Sequence, residues 1–282
     1  RHTPTPCTPP HTEQGLAAHT PMQALSHWSS PPGLIGVFTD IDDTLTTDGA
    51  ITPDALQALA DLQAAGLLVV PITGRPVGWS EPFVHTWPVH AIVAENGAVG
   101  LQHAPGQGLH KLYQQDPDTR SSNFMRMQNV LNLIEHQVPG AHRSQDSVGR
   151  ETDIAIDHSE FTQLPQTAID QVVRIMQAQG MTATVSSIHI NGWFGQHSKL
   201  TGARWIVREL WGRDLDAEID RWVYVGDSTN DQVMFEHFAH SVGVANIRRF
   251  EAQLTHPPRY ITPSERGAGF AQLARHLLQP KA

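Results

Sequence analysis

The stretch Phe38-Thr39-Asp40-Ile41-Asp42-Asp43-Thr44-Leu45-Thr46 follows directly on the apolar run Leu34-Ile35-Gly36-Val37. An apolar run that stops on carboxylates reads as a buried strand delivering acids to its C-terminal end. In open α/β sheets that end is where ligands bind. Asp40 and Asp42 repel each other unless a cation or a shared proton relieves them. The economical reading is a Mg²⁺ site with a nucleophile beside a general acid.

Outward from this stretch the chain alternates strands and helices. Thr52-Pro53-Asp54 starts a helix, with Thr52 as N-cap and Pro53 at the first helical position; Gly66 ends it. Leu67–Ile72 is a continuous apolar run, read as a buried parallel strand, and it leads into Thr73-Gly74-Arg75. Ala91–Ala94 is another, ending at Glu95-Asn96-Gly97, which is either a tight turn or part of the site. Between about 103 and 195 the pattern becomes more polar. A helix is expected near Asn123–His136, with alternating strands at Glu151–Asp157 and Met181–Ile190 and a helix around Ile169–Met176. From Lys199 the βα pattern resumes, with strands at Trp222–Val225 and Val242–Val244 and a last helix ending near Leu278.

The expected class is α/β: a Rossmann-like parallel sheet flanked by helices, interrupted by an inserted α+β module. The expected division is a flexible tail over 1–30 with a short helix near Met22–Trp28, a core of 31–102 and 196–282, and a cap domain of 103–195.

Composition excludes several classes. The 282 residues carry a formal charge of −9 and no basic stripe, which argues against nucleic acid as the main partner. No apolar run has the length of a membrane span, and the N-terminus lacks signal-peptide regions. The single cysteine, Cys7, permits no intrachain disulfide, which fits a reducing, cytoplasmic setting. There is no HExxH, no Cys/His zinc spacing and no GxSxG elbow. An EF-hand over Asp40–Ile51 fails, because Leu45 and Ile51 stand where Gly and Glu are needed.

Four segments then stand at strand or helix ends: Asp40 with Asp42, Thr73, Lys199, and Gly226-Asp227-Ser228-Thr229-Asn230-Asp231. In order, these resemble the four motifs of the haloacid dehalogenase-like phosphohydrolase superfamily. Glu95-Asn96-Gly97-Ala98 and the long insertion resemble its Cof-type branch, subfamily IIB, with a C2B cap. Asp43 departs from the pattern, since many relatives carry Gly there.

The resemblance implies a Mg²⁺-dependent phosphatase acting on a small phosphorylated metabolite, most simply a sugar phosphate. Asp40 would be the nucleophile forming an aspartyl-phosphate, and Asp42 the general acid and base. The ligands of Mg²⁺ would be the Asp40 carboxylate, the Asp42 backbone carbonyl and the Asp227 carboxylate. Thr73, Gly74, Lys199 and Asn230 would hold the phosphoryl oxygens. Asp231 would orient Lys199 or a metal-bound water. In the cap, Arg143, Arg150, His189 and Asn191 are the candidates for substrate recognition. The rival readings are a phosphomannomutase-like phosphotransferase, which needs a second phosphate site such as Arg143 with Arg150, and a non-catalytic binding protein on the same scaffold.

Overall fold

A computed structural model describes residues 21–280. Its strands, in chain order, are β1 (Gln23–Ala24), β2 (Gly36–Thr39), β3 (Thr46–Thr47), β4 (Ala50–Ile51), β5 (Leu68–Pro71), β6 (Ile92–Ala94), β7 (Val99–Ala104), β8 (Gly108–Tyr113), β9 (Ile154–Asp157), β10 (Thr182–Val185), β11 (His189–Trp193), β12 (Trp222–Gly226), β13 (His240–Gly243) and β14 (Tyr260–Ile261). Its α-helices are α1 (Pro53–Ala64), α2 (Val77–Thr86), α3 (Pro117–Gln137), α4 (Gln166–Ala178), α5 (Lys199–Trp211), α6 (Gln232–His237) and α7 (Arg266–Leu278).

The central sheet has the order β1-β14-β13-β12-β2-β5, with every pair parallel. Its strands are apolar on both faces because helices cover both. Val37, Val69, Val223 and Val225 face α1 and α7, while Phe38, Val70, Trp222 and Tyr224 pack with Ala203, Ile206 and Val207 of α5 and with Met234 and Phe235 of α6. Neighbouring β12, β2 and β5 end together, so the residues that follow them share one rim. The order matches the expected α/β class.

The inserted module has its own antiparallel sheet, β10-β11-β9, covered by α3 and α4. Its core includes Met127, Leu131, Ile134, Ile154, Ile156, Val172, Met176 and Ile190. The expected single strand over Met181–Ile190 is instead a hairpin arm, broken between β10 and β11 where Ser186 accepts and donates around the turn to His189.

Two expected boundaries shift. β7 and β8 form a hairpin that pairs with β6, not with the cap sheet, so the polar stretch after residue 103 flanks the core. The tail expected over 1–30 falls partly outside the described residues. From Gln23 the chain is built into the core: β1 pairs with β14, the expected short helix is a single 3₁₀ turn at Leu25–His27, and Leu25 and Trp28 are buried. Trp28 is anchored by its indole N–H to His240 Nδ1 at 3.1 Å and stacks on His276. Cys7 lies outside the described residues. No helix among the described residues is long and apolar enough to cross a membrane.

Candidate active site

Asp40 follows β2, Thr73 follows β5, and Asp227 follows β12. Lys199 opens α5, where Ser198 caps the helix: its hydroxyl accepts the Thr201 N–H, and the Thr201 hydroxyl accepts the Ser198 N–H. The start of α5 is set by the Glu95-Asn96-Gly97 turn. All three residues have left-handed φ, and a Cβ on Gly97 would collide with the carbonyl of Ser198. That turn braces the start of the helix.

Three of the four segments converge, while Thr73 stands on the same rim after β5. Lys199 Nζ donates to Asp40 Oδ1 at 3.0 Å and to Asp231 Oδ1 at 3.1 Å, all three side chains being buried. Asp40, Asp227 and Asp231 each offer a carboxylate oxygen within 4.8 Å of the others. Asp231 is saturated: it also accepts the Tyr224 hydroxyl and the backbone N–H groups of Asp227 and Ser228. Gly226 is required beside it, since a Cβ there would collide with the Asp231 carboxylate. Asp227 is not saturated. Its Oδ1 accepts the Thr44 hydroxyl at 3.2 Å, while its buried Oδ2 has no hydrogen-bond partner.

The electrostatics follow from that imbalance. Burial, then Asp40 and Asp231, push the Asp227 carboxyl well above the usual range. Burial raises Asp40 to about 6, with Lys199 pulling against it. Burial alone would lower the Lys199 ammonium, but Asp231 and Asp40 more than reverse this and hold it charged. Three buried carboxylates against one ammonium leave a deficit of positive charge, with an orphaned carboxylate oxygen facing it. The residues present therefore fit a hard cation bound through oxygen. Between the two candidate carboxylates, Asp227 has the free oxygen and Asp231 does not, so Asp227 is the better ligand.

The remaining expected residues are placed as follows. The Thr73 hydroxyl accepts the Arg75 N–H at 2.9 Å, and the Gly74 carbonyl accepts from Arg150 and Asn191. Asn230 accepts the Ser228 hydroxyl through Oδ1 at 2.8 Å. Both Asp42 oxygens are held by Arg75, at 2.8 and 2.9 Å. Asp43 sits at φ 59°, in the left-handed region where glycine is at ease, and its carboxylate pairs with Arg266 at 3.3 Å.

The cap candidates divide. Arg150, His189 and Asn191 are buried at the seam between cap and core. Arg150 pairs with Asp146 and Asp153, Asn191 donates to Asp153, and His189 Nε2 contacts Glu160. They bind protein groups around the Thr73-Gly74-Arg75 loop. Arg143 lies elsewhere, half-exposed and tied to Glu135 and Asn132. Arg143 and Arg150 thus do not form the paired-arginine phosphate site that a phosphotransferase reading requires.

Sequence reasoning did not single out Thr44, Tyr224, Asp146 or Glu160, and it quoted Arg75 without assigning it a part. Thr44 and Arg75 lie inside the quoted motifs, so their position was a signal. Tyr224 reads as core within an apolar strand, and nothing in the sequence marks the two cap acids.

Asp42, Arg75 and Asp227 also lie on the wall of a chamber of about 820 Å³. Its other walls come from the cap loops near Gln163 and Ser187 and from core loops near Asp48 and Gln253, with Phe161 and Phe250 between them.

Residues 37–138 match the model of a haloacid dehalogenase-like hydrolase family. The chain is 21% identical over 268 residues to "Putative phosphatase M6_Spy0533" of Streptococcus pyogenes serotype M6, covering 85% of this chain and 96% of that one. Its fold resembles the sucrose-phosphatase of Synechocystis sp. PCC6803, solved with sucrose and phosphate, at a TM-score of 0.62 and 16% identity over 86% of this chain and 97% of that one. It also resembles the subclass IIB sugar phosphatase BT4131, at a TM-score of 0.57 and 16% identity over 86% and 98%. With its motifs in order and an inserted module beside the parallel sheet, the chain resembles the haloacid dehalogenase-like hydrolases, whose family model its residues 37–138 match.

Proposed function

We propose that this protein is a Mg²⁺-dependent phosphatase that hydrolyses a small phosphomonoester, a sugar phosphate, through an aspartyl-phosphate. The observation that carries this reading is the buried Asp40 carboxylate set between Lys199 and the unpartnered oxygen of Asp227.

The Asp40 and Asp227 carboxylates and the Asp42 carbonyl would hold the cation, which when bound neutralises charge on the phosphoryl group and on its nucleophile. Asp40 attacks phosphorus, and the bond to the leaving oxygen breaks. Asp42 gives its proton to that oxygen, then takes one from the water that hydrolyses the acyl phosphate and so regenerates Asp40. Lys199, Thr73, the Gly74 N–H and Asn230 hold the phosphoryl oxygens, with Lys199 supplying fixed positive charge to the transition state.

The leaving group would occupy the chamber. Its amides, hydroxyls and two phenyl rings, set among acids and arginines, suit a polyhydroxylated group, hydrogen-bonded at its edges and stacked on its faces. The fold shared with the sucrose- and sugar-phosphatases supports the same substrate class by analogy.

The test is phosphate release from a panel of phosphorylated sugars and nucleotides, with Mg²⁺ and with EDTA. Release should require the metal and favour sugars. Asp40→Asn should lower it by roughly three orders of magnitude or more while far-UV dichroism is unchanged. Metal-independent release, or an active Asp40→Asn protein, would overturn the proposal.

A further inference from the structure

Arg75 has five N–H donors in a rigid plane, and the structure commits four of them to three acids. Nε and Nη2 grip the two oxygens of Asp42 at 2.8 and 2.9 Å; Nη2 also meets Glu160 Oε2 at 2.6 Å; Nη1 meets Asp146 Oδ2 at 3.0 Å. The guanidinium lies over the Trp79 ring at 4.6 Å, and its side chain is 5% exposed. Among the described residues, Asp42's carboxylate has no other hydrogen-bond partner.

Asp42 is a core residue, whereas Asp146 and Glu160 belong to the inserted module. Both cap acids are themselves fixed. Asp146 is held by Arg150 at 3.0 Å and by the Ser144 hydroxyl. Glu160 is held by His189 at 2.8 Å through its other oxygen, and its N–H donates to Asp157. One guanidinium thus joins Asp42 to two anchored points on the inserted module.

We propose that Arg75 is a positioning residue through which the cap aims Asp42. With Asp146 and Glu160 docked, the plane of the guanidinium is fixed, and Asp42 is fixed with it. Without them Arg75 keeps only Asp42 and Trp79, and the pair is free to swing together. A bidentate fork transmits orientation in this way, where a lysine's point charge would not. The proposal rests on Asp42 being the acid and base of the reaction above.

Two substrates of nearly the same shape test it. Phenyl phosphate needs a proton on its leaving oxygen; p-nitrophenyl phosphate departs as a stable phenolate without one. Their kcat/KM values report events up to departure of the leaving group, so later hydrolysis does not enter. For Glu160→Gln and for Arg75→Lys, kcat/KM on phenyl phosphate should fall about tenfold or more, while that on p-nitrophenyl phosphate stays within about threefold. A loss equal on both substrates would mean that these residues only hold the cap or contact the ring, and would overturn the proposal. So would unchanged values on both. Wild-type protein inert toward both esters would instead remove the reading of Asp42, and the proposal with it.

Discussion

The reacting centre and the seam beneath the cap are both made of buried ion pairs, yet their charge is arranged differently. At the centre, Asp40, Asp227 and Asp231 face one ammonium, one carboxylate oxygen has no partner, and burial raises Asp40 and Asp227. At the seam, Arg75 and Arg150 share Asp42, Asp146, Asp153 and Glu160 in a closed set of hydrogen bonds. Burial works against charge on Asp146 and Glu160 too, but Arg150 and His189, together with Arg75, outweigh it and hold both carboxyls below their usual range. Among the described residues only the centre leaves a buried carboxylate oxygen without a hydrogen-bond partner. Burial of ionisable groups alone does not mark a site; incomplete pairing does.

The contrast is broken most severely at Lys199. Lys199→Met deepens the deficit at the centre by leaving Asp40 and Asp231 without their cation. Turnover should fall roughly 10²–10³-fold. Stability without metal should drop by about 3–5 kcal/mol in urea unfolding, and Mg²⁺ should restore more of it than it adds to the wild type. No loss of stability would mean that the three carboxylates are not ionised together.

Glu95 sharpens the comparison, because it lies at the seam but resembles the centre. Its carboxylate accepts the N–H groups of Val77, Glu151 and Thr152 and the Thr152 hydroxyl. Burial, then Asp153, still raises it from 4.5 to about 7. A raised value in the folded state favours folding below pH 4.5, and that contribution is lost as pH rises to about 7. Wild-type unfolding free energy minus that of Glu95→Gln should therefore fall by about 1–3 kcal/mol across this window. A flat difference would place Glu95 among the fully compensated groups.

The smallest effect belongs to Arg143. It is an exposed arginine paired with Glu135, so Arg143→Ala should change stability by no more than about 0.5 kcal/mol. Turnover should stay within about twofold. A tenfold rise in KM would restore Arg143 as a substrate contact.

These contacts also show what one sequence carries. Asp40, Thr73, Lys199 and Asp227 were legible because each stands where a regular element ends, and strand order alone brings three such ends to one rim. The β7–β8 hairpin had its signal too: Gly106 and Gly108 adopt left-handed φ in a tight turn between two alternating runs. The seam was not legible. Arg75 meets Asp146 and Glu160 across 71 and 85 positions, and those acids lie in loops without periodicity. Arg143 and Arg150 looked alike in sequence because burial is a property of the packed cap, not of the residue.

Trp28 and the two-residue strand before it have a practical consequence. They cover the outermost main-chain groups beside Tyr260 and Ile261, and the indole fills the gap between His240 and His276. A shortened protein starting at residue 30 would bare that flank and its apolar bed. Such a product should stick to copies of itself, a hazard for anyone trimming the N-terminal residues to aid crystallisation.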